Sequence, residues 1–166
     1  MSDTLHALPI TAERFAPFGE VIAAFPERRA PMNAARFERF DRLAAVDVDN
    51  DDEGHAAISI ARSRSATALP YCFDRVERHP LGSQAFIPLT PFRFVVVVAA
   101  AGETVERDDL NAFVTNGHQG VSYRRGVWHM PLIALEAGQE FLVVDRAGPG
   151  NCEERVLDRP VTLHVE

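Results

Sequence analysis

The sequence predicts an all-β fold, mainly antiparallel, in the form of a β-barrel or jelly roll with a few short helices. Three observations lead to this class. Short runs rich in β-branched and aromatic residues recur along the chain, and residues typical of turns separate them. Segments with helical signals are few, and proline or glycine interrupts them early. Many short strands with frequent turns are typical of antiparallel sandwiches and barrels.

The elements follow in chain order. A short helix is predicted after Thr11, a candidate N-cap, and is expected to end before Pro17 and Gly19. Residues 47–54 are predicted to form a solvated acidic loop, and residues 107–114 one or two helical turns. Strands are predicted for five runs: AISIARS from Ala57, QAFIPL from Gln84, FRFVVVVAA from Phe92, VSYRRGVWHMPLIAL from Val121 and QEFLVVDR from Gln139.

The composition limits the classes of function. With 166 residues and no linker or repeat, the chain is expected to form one domain, residues 1–166. A formal charge of −7 argues against a nucleic-acid partner, and no apolar run approaches the roughly 20 residues of a membrane span. The start of the chain lacks an export signal, so we expect a cytoplasmic protein in which Cys72 and Cys152 are buried or idle thiols. Lysine is absent, which excludes Schiff-base chemistry on lysine and leaves arginine to bind anions.

Two stretches carry candidate catalytic side chains. In residues 75–89, RVERHPLGSQAFIPL, period-two alternation puts Glu77 and His79 on one face of an extended strand, and the following turn lets Gln84 begin a returning strand toward the same space. A later stretch, GVSYRRGVWHMPLIAL, carries His129. Imidazole and carboxylate are good ligands for a divalent transition metal, and an amide oxygen is a weaker one. The pattern indicates either two halves of one pocket or ordinary polar positions on two strands.

The joint spacing resembles the two cupin motifs. Glu77-x-His79-x4-Gln84 stands where the first cupin motif has His-x-His and then an acid. Gly120-x5-Gly126-x2-His129 matches the second motif, a glycine-rich turn followed by a histidine. The resemblance implies a cupin-like β-barrel with metal ligands Glu77, His79, Gln84 and His129. The two replacements in the first motif predict weaker metal binding.

A closer resemblance covers nearly the whole chain. Its most specific stretches are ERHPLGSQAFIPL, FVVVVA, AFVTNGHQGVSY and GVWHMPL, together with Asp145, Arg146, Asn151 and Cys152. These stretches resemble the ureidoglycolate lyase family of allantoin catabolism. Two positions depart from the family pattern, because Arg124 and Met130 stand where histidine is common. We also expect Asp145 and Arg146 to form a structural pair.

The resemblance implies a homodimeric carbon–nitrogen lyase that splits ureidoglycolate into glyoxylate and urea. It also implies a divalent metal, with nickel as the metal associated with the family, and no organic cofactor. The alternatives are a ureidoglycolate hydrolase that releases ammonia, another metal-dependent cupin such as an isomerase or oxygenase, and a non-catalytic small-acid binding protein.

Roles follow for individual residues. His129, Glu77 and His79 are expected to be catalytic, and Glu77 or His129 would be the base if no metal is bound. An arginine fork would bind the substrate carboxylate, and an arginine at position 124 could add to it. The candidates for substrate binding are Gln84, Arg62, Arg39 and Tyr123, of which the two arginines could equally be surface ion pairs and the tyrosine core packing.

Overall fold

The computed structural model describes residues 3–166, which form strands joined by turns, with little helix. The helical elements are α1 (Ala12–Phe15) and two one-turn 3-10 helices, Pro26–Arg28 and Arg107–Asp109. The strands are β1 (Thr4–Pro9), β2 (Gly19–Ile22), β3 (Arg29–Met32), β4 (Phe37–Phe40), β5 (His55–Arg62), β6 (Tyr71–Arg78), β7 (Gln84–Pro88), β8 (Phe94–Ala99), β9 (Asn111–Val114), β10 (Gly120–Tyr123), β11 (Trp128–His129), β12 (Ile133–Ala134), β13 (Glu140–Ala147) and β14 (Glu153–His164).

One sheet closes into a barrel. Its strand order is β11-β6-β14-β1-β9-β8-β12, and β11 pairs with β8 as well as with β6, which completes the ring. β1 runs parallel to both β14 and β9, so the barrel is mixed. A second, antiparallel sheet has the order β2-β10-β7-β13-β5, and β3 and β4 form a separate pair. The all-β class and the barrel predicted from the sequence are therefore confirmed.

Strand β8 lies between two apolar cores. Val95, Val97 and Ala99 face the core inside the barrel, whereas Phe94, Val96 and Val98 face the core between the barrel and the second sheet. Successive side chains of a strand point to opposite faces, so a strand covered on both faces needs an unbroken apolar run. This packing explains the sequence FVVVVA, in which every residue is buried.

Most of the predicted elements are present. Thr11 caps α1, because its hydroxyl accepts a hydrogen bond from the backbone N–H of Arg14 at 3.1 Å. The five predicted strand runs contain strands, and the run from Val121 is divided into β10, β11 and β12. The run from Arg107 forms one helical turn, as predicted, over Arg107–Asp109, but the helix does not extend to residues 111–114. These residues form β9, in which Ala112 and Val114 face one core and Phe113 faces the other.

Two further expectations concern thiols and membranes. Cys72 and Cys152 are both free, and both are exposed rather than buried. Between residues 3 and 166, no helix has the length and apolar character needed to cross a bilayer.

Candidate metal and active site

The core between the two sheets becomes polar at one end. Along β13, Phe141 and Val143 face this core, and Asp145 follows on the same face. Gln84 on β7 lies beside Asp145 in the strand register, and it also pairs with Tyr123 on β10. Three neighbouring strands of the second sheet thus direct polar side chains to one place.

The barrel directs two more side chains to the same place. Glu77 on β6 and His129 on β11 are direct cross-strand partners, so their side chains lie on the same face of the sheet. Their chain neighbours Val76 and Trp128 point the other way, into the core of the barrel. His79 follows β6, two residues after Glu77.

The structure brings the four predicted ligands together. One donor atom each from Glu77, His79 and His129 lies within 4.8 Å of the others. The Nε2 atom of His129 is 3.6 Å from Oε1 of Glu77, and the two imidazole rings have centroids 4.9 Å apart. Oε1 of Gln84 is 3.1 Å from Nε2 of His79. We refer to these four side chains as the His–Glu cluster.

Backbone carbonyls set the tautomers of both histidines. Nδ1 of His129 is 3.0 Å from the carbonyl oxygen of Val127, and Nδ1 of His79 is 2.6 Å from that of Asn151. A carbonyl oxygen only accepts hydrogen bonds, so each Nδ1 carries a proton and donates it. In the neutral imidazole each Nε2 then carries a lone pair. Histidines that bind metals are held by an outer hydrogen bond of this kind.

Two atoms of the cluster lack a suitable protein partner. Nε2 of His129 is buried with no hydrogen-bond partner among residues 3–166. Nε2 of a neutral His79 would face the oxygen of Gln84, which is acceptor against acceptor. A bound cation would satisfy both atoms, because it would accept the lone pair of each Nε2 and would let the oxygen of Gln84 lie beside Nε2 of His79 as a second ligand. A His79 protonated on both nitrogens would donate to Gln84, but Nε2 of His129 would still lack a partner among residues 3–166. The nitrogen and oxygen donors present therefore fit a divalent transition metal.

The carboxylate of Glu77 is held in its ionised form. The interaction with His129 is the largest cause that lowers the pKa of Glu77 below its ordinary value of 4.5, the charge of His79 and the Cys152 thiol add to it, and burial opposes the shift. Sγ of Cys152 donates to Oε2 of Glu77 at 3.6 Å. Partial desolvation and the charge of Glu77 raise the pKa of this thiol, so it stays protonated.

Tyr123 borders the cluster. Its ring stacks on His129 with centroids 4.6 Å apart and an interplanar angle of 28°. Its hydroxyl is buried and has no hydrogen-bond partner within residues 3–166. Burial, together with the charge of Glu77, raises the pKa of Tyr123 far above its ordinary value, so the phenol is neutral. Buried hydroxyls are normally paired, so this one is a candidate contact for a bound molecule.

Supporting loops contain contacts that the sequence did not reveal. Asp145 accepts a hydrogen bond from the side-chain amide of Gln84 at 3.0 Å, so the expected pair with Arg146 is wrong. The acidic loop 47–54 is mostly exposed, as predicted, and Arg125 anchors it by binding both carboxylate oxygens of Asp47 at 2.9 and 2.7 Å. Arg146 holds the same loop by donating to the backbone carbonyls of Asp49 and Asp51, and it also donates to the carbonyl of Pro149 after β13.

The structure does not bring the two predicted arginines to the cluster. Arg62 forms an exposed ion pair with Glu140 at 2.7 Å. Ala57 on β5 is the cross-strand partner of Asp145, and Arg62 lies five residues further along the same strand. Five residues of extended strand span about 17 Å, so Arg62 lies far from Asp145. Arg39 lies on β4 and pairs with Asp41 at 2.6 Å.

The two departures from the family pattern lie in different surroundings. Met130 is 5% exposed and packs into the core of the barrel, on the face opposite His129. Arg124 is exposed and donates to Glu20 at 2.9 and 3.1 Å and to the carbonyl of Ala16 at 2.7 Å. Its predicted contribution to carboxylate binding stays a prediction.

The fold and the site define a class of protein: a β-barrel with a histidine–carboxylate cluster suited to a divalent metal and to proton transfer on a small polar molecule. The family model described as Ureidoglycolate lyase matches residues 2–164, and the chain belongs to this family. The chain is 45% identical over 161 residues to the ureidoglycolate lyase of Burkholderia mallei (strain NCTC 10229), covering 96% of this chain and 93% of that protein. It is 46% identical over 164 residues to the ureidoglycolate lyase of Pseudomonas syringae pv. tomato (strain ATCC BAA-871 / DC3000), covering 98% and 95%. Among solved structures, a dTDP sugar isomerase from Desulfovibrio desulfuricans G20 is similar with a TM-score of 0.47 and 16% identity, over 86% of this chain and 87% of that chain.

Proposed function

We propose that this protein is a ureidoglycolate lyase, which cleaves ureidoglycolate into glyoxylate and urea. The observation that carries the proposal is family membership across residues 2–164 in a chain whose His–Glu cluster is assembled at one end of the core. The substrate has a hydroxyl, a ureido nitrogen and a carboxylate on or next to one carbon. Its cleavage needs a base for the hydroxyl and a proton for the departing nitrogen.

The cluster has groups for both proton transfers. If no metal is bound, His129 is the candidate base, because its Nε2 has no hydrogen-bond partner among residues 3–166. As it takes the hydroxyl proton, the carbonyl of glyoxylate forms and the carbon–nitrogen bond breaks. The imidazolium then returns the proton to the nitrogen of urea, so the reaction consumes no other reactant. Glu77, with Oε1 3.6 Å from Nε2, would stabilise the imidazolium while it exists.

The finer proposal is that Glu77, His79, Gln84 and His129 hold a divalent metal, with nickel as the metal that the family resemblance implies. When bound, the metal would act as a Lewis acid toward the oxygens of the substrate and lessen the demand on a protein base. The donor set supports this proposal, as does Nε2 of His129, which lacks a hydrogen-bond partner in the described part of the chain. Gln84 and Tyr123 are proposed to contact the substrate. Binding of the carboxylate by Arg39 or Arg62 stays a prediction, which a raised KM in Arg39→Ala or Arg62→Ala would support.

The reaction products test the function. Purified protein is incubated with ureidoglycolate, and glyoxylate, urea and ammonia are measured against the spontaneous rate. Equal amounts of glyoxylate and urea without ammonia support the lyase. Ammonia in place of urea would mean a hydrolase. Binding of glyoxylate without any turnover would mean a small-acid binding protein and would overturn the proposal.

A pair of histidine variants tests the site. His129→Ala should lower kcat by about 100- to 10,000-fold, the usual contribution of a general acid–base residue, with the fold intact by circular dichroism. His118→Ala is the matched control, because His118 is exposed in the loop after β9. Full activity in His129→Ala would remove this residue from the mechanism.

Metal binding needs its own control. The rings of His6 and His164 stack with centroids 5.3 Å apart on the β1–β14 surface, and such a pair can bind Ni²⁺ weakly. Calorimetry with Ni²⁺ is therefore carried out on the His6→Ala variant. One bound ion that is lost in Glu77→Ala supports the proposed ligands, and an unchanged isotherm in Glu77→Ala contradicts them. Loss of activity on chelation, restored by Ni²⁺, would make the metal part of the reaction.

We also propose a cytoplasmic homodimer whose chain folds as one domain. The two free thiols are compatible with a reducing compartment, and β8 contributes to both cores, which favours one folding unit. The outer face of the second sheet exposes Ile58 by 74% and Ile60 by 54%, an apolar surface suited to a second copy. Light scattering should give twice the mass of the chain, and Ile58→Lys should reduce it to one chain. A monomeric wild-type protein would contradict the dimer.

A further inference from the structure

The side-chain amide of Gln84 lies between Asp145 and His79. Its nitrogen donates to Oδ2 of Asp145 at 3.0 Å, and its oxygen faces Nε2 of His79 at 3.1 Å. A carboxylate oxygen accepts the hydrogen bond here, so the end of the amide that faces Asp145 is the nitrogen. The contact with Asp145 fixes which end of the amide faces the His–Glu cluster.

The opposite orientation of Gln84 would disable the cluster. The two ends of an amide have nearly the same shape, so rotation about the last side-chain bond exchanges them. Because Nδ1 of His79 donates to Asn151, Nε2 of a neutral His79 has a lone pair that would accept a hydrogen bond from the amide nitrogen. A rotated Gln84 would thus cap His79 and also withdraw its own oxygen. With Asp145 in place, the rotated amide would bring its oxygen against a carboxylate.

We propose that Asp145 is a positioning residue that keeps the oxygen of Gln84 turned toward the cluster and so prevents Gln84 from capping His79. The proposal deepens the proposed function and rests on it, since its consequence is that the cluster stays open for metal and substrate. Asp145 acts only through Gln84. Replacement of Asp145 should therefore weaken metal binding and lower kcat when Gln84 is present, and it should change both quantities little when Gln84 has been replaced.

A double-mutant cycle tests this dependence. The proteins are wild type, Asp145→Ala, Gln84→Ala and the double variant, with Asp158→Ala as a matched control in an exposed pair with Arg159 on β14. Asp145→Ala should weaken Ni²⁺ binding and lower kcat by about 10- to 100-fold, as loss of an outer hydrogen bond to a metal ligand does. The double variant should equal Gln84→Ala in both quantities. An unchanged Asp145→Ala protein, or an equal loss from Asp145→Ala in both backgrounds, would overturn the proposal.

A measurement on the protein without metal or substrate separates this proposal from the proposed function. The ¹⁵N resonance of Nε2 in His79 responds to whether its lone pair accepts a hydrogen bond. It should shift on Asp145→Ala and return toward the wild-type position in the double variant. Absence of that shift would refute the role of Asp145 even in an active lyase. The shift would support this role even if wild-type protein bound no nickel and released no urea, which would sink the proposed function alone.

Discussion

Replacement of Tyr123 by phenylalanine should make the protein more stable and less active. The hydroxyl that is removed is buried and lacks a partner among residues 3–166, and a buried hydroxyl in this condition costs about 1–3 kcal/mol. Phenylalanine keeps the ring that packs on His129, Phe15 and Phe86. The free energy of unfolding should therefore rise by about 1–3 kcal/mol, with an increase in Tm of about 2–4 °C per kcal/mol for a chain of this size.

The assay pairs stability with turnover. Unfolding is followed in guanidinium chloride, because urea is a product of the proposed reaction, and kcat/KM is measured on the same preparations. Tyr71→Phe is the control, since Tyr71 is the other tyrosine of the chain, is partly exposed and packs on Phe73. It should change stability by no more than about 0.5 kcal/mol. If Tyr123→Phe lowers the free energy of unfolding, the hydroxyl has a partner in solution and the reasoning is wrong. If kcat/KM is unchanged, Tyr123 does not contact the substrate.

Three further changes follow from the structure. Neighbours lower the pKa of Glu77 below 4.5, so the stability that its carboxylate contributes is present above that pH and is lost as the pH falls through the lowered pKa. The stability difference between metal-free wild type and Glu77→Gln should therefore shrink as the pH falls below 4.5, and a constant difference would contradict this. Met130→His should restore no activity and should lower the free energy of unfolding by about 1–3 kcal/mol, because it buries an unpaired imidazole. Met130→Leu, the control, should lower it by less than about 1.5 kcal/mol. A gain of kcat in Met130→His would refute the assignment of this side chain to the barrel core. Arg146→Lys should lower the free energy of unfolding by at least about 1.5 kcal/mol, because one ammonium cannot reach the three carbonyl oxygens that the guanidinium binds. An unaltered denaturation midpoint would contradict a stabilising role for these three contacts.

Local rules determined much of the site. Alternation along a strand put Glu77 and His79 on one face, and the short turn after them returned Gln84 to the same side. The structure confirms that these side chains meet with His129. The position of Asp145 was also open to this reasoning, because it continues the inward face that Phe141 begins on β13.

The strand order could not be deduced from such rules. β1 and β14 were not predicted, although their parallel pairing is one of the links that form the barrel. Residues 111–114 carried a helical prediction, and only burial on both faces makes them the strand β9. Parallel pairing joins distant parts of the chain, so no turn between the strands announces it.

The sequence by itself determined the all-β class, the apolar run of β8 and which polar side chains share a strand face, since these depend on spacings of a few residues. The tertiary structure decided that Arg62 lies far along β5 from Asp145, that Met130 turns into the barrel core, and that Asp145 binds Gln84 rather than Arg146. Those contacts depend on the register between strands and on how the second sheet packs on the barrel. Register and packing are fixed by burial of two shared cores, which is a property of the whole chain and not of any one stretch.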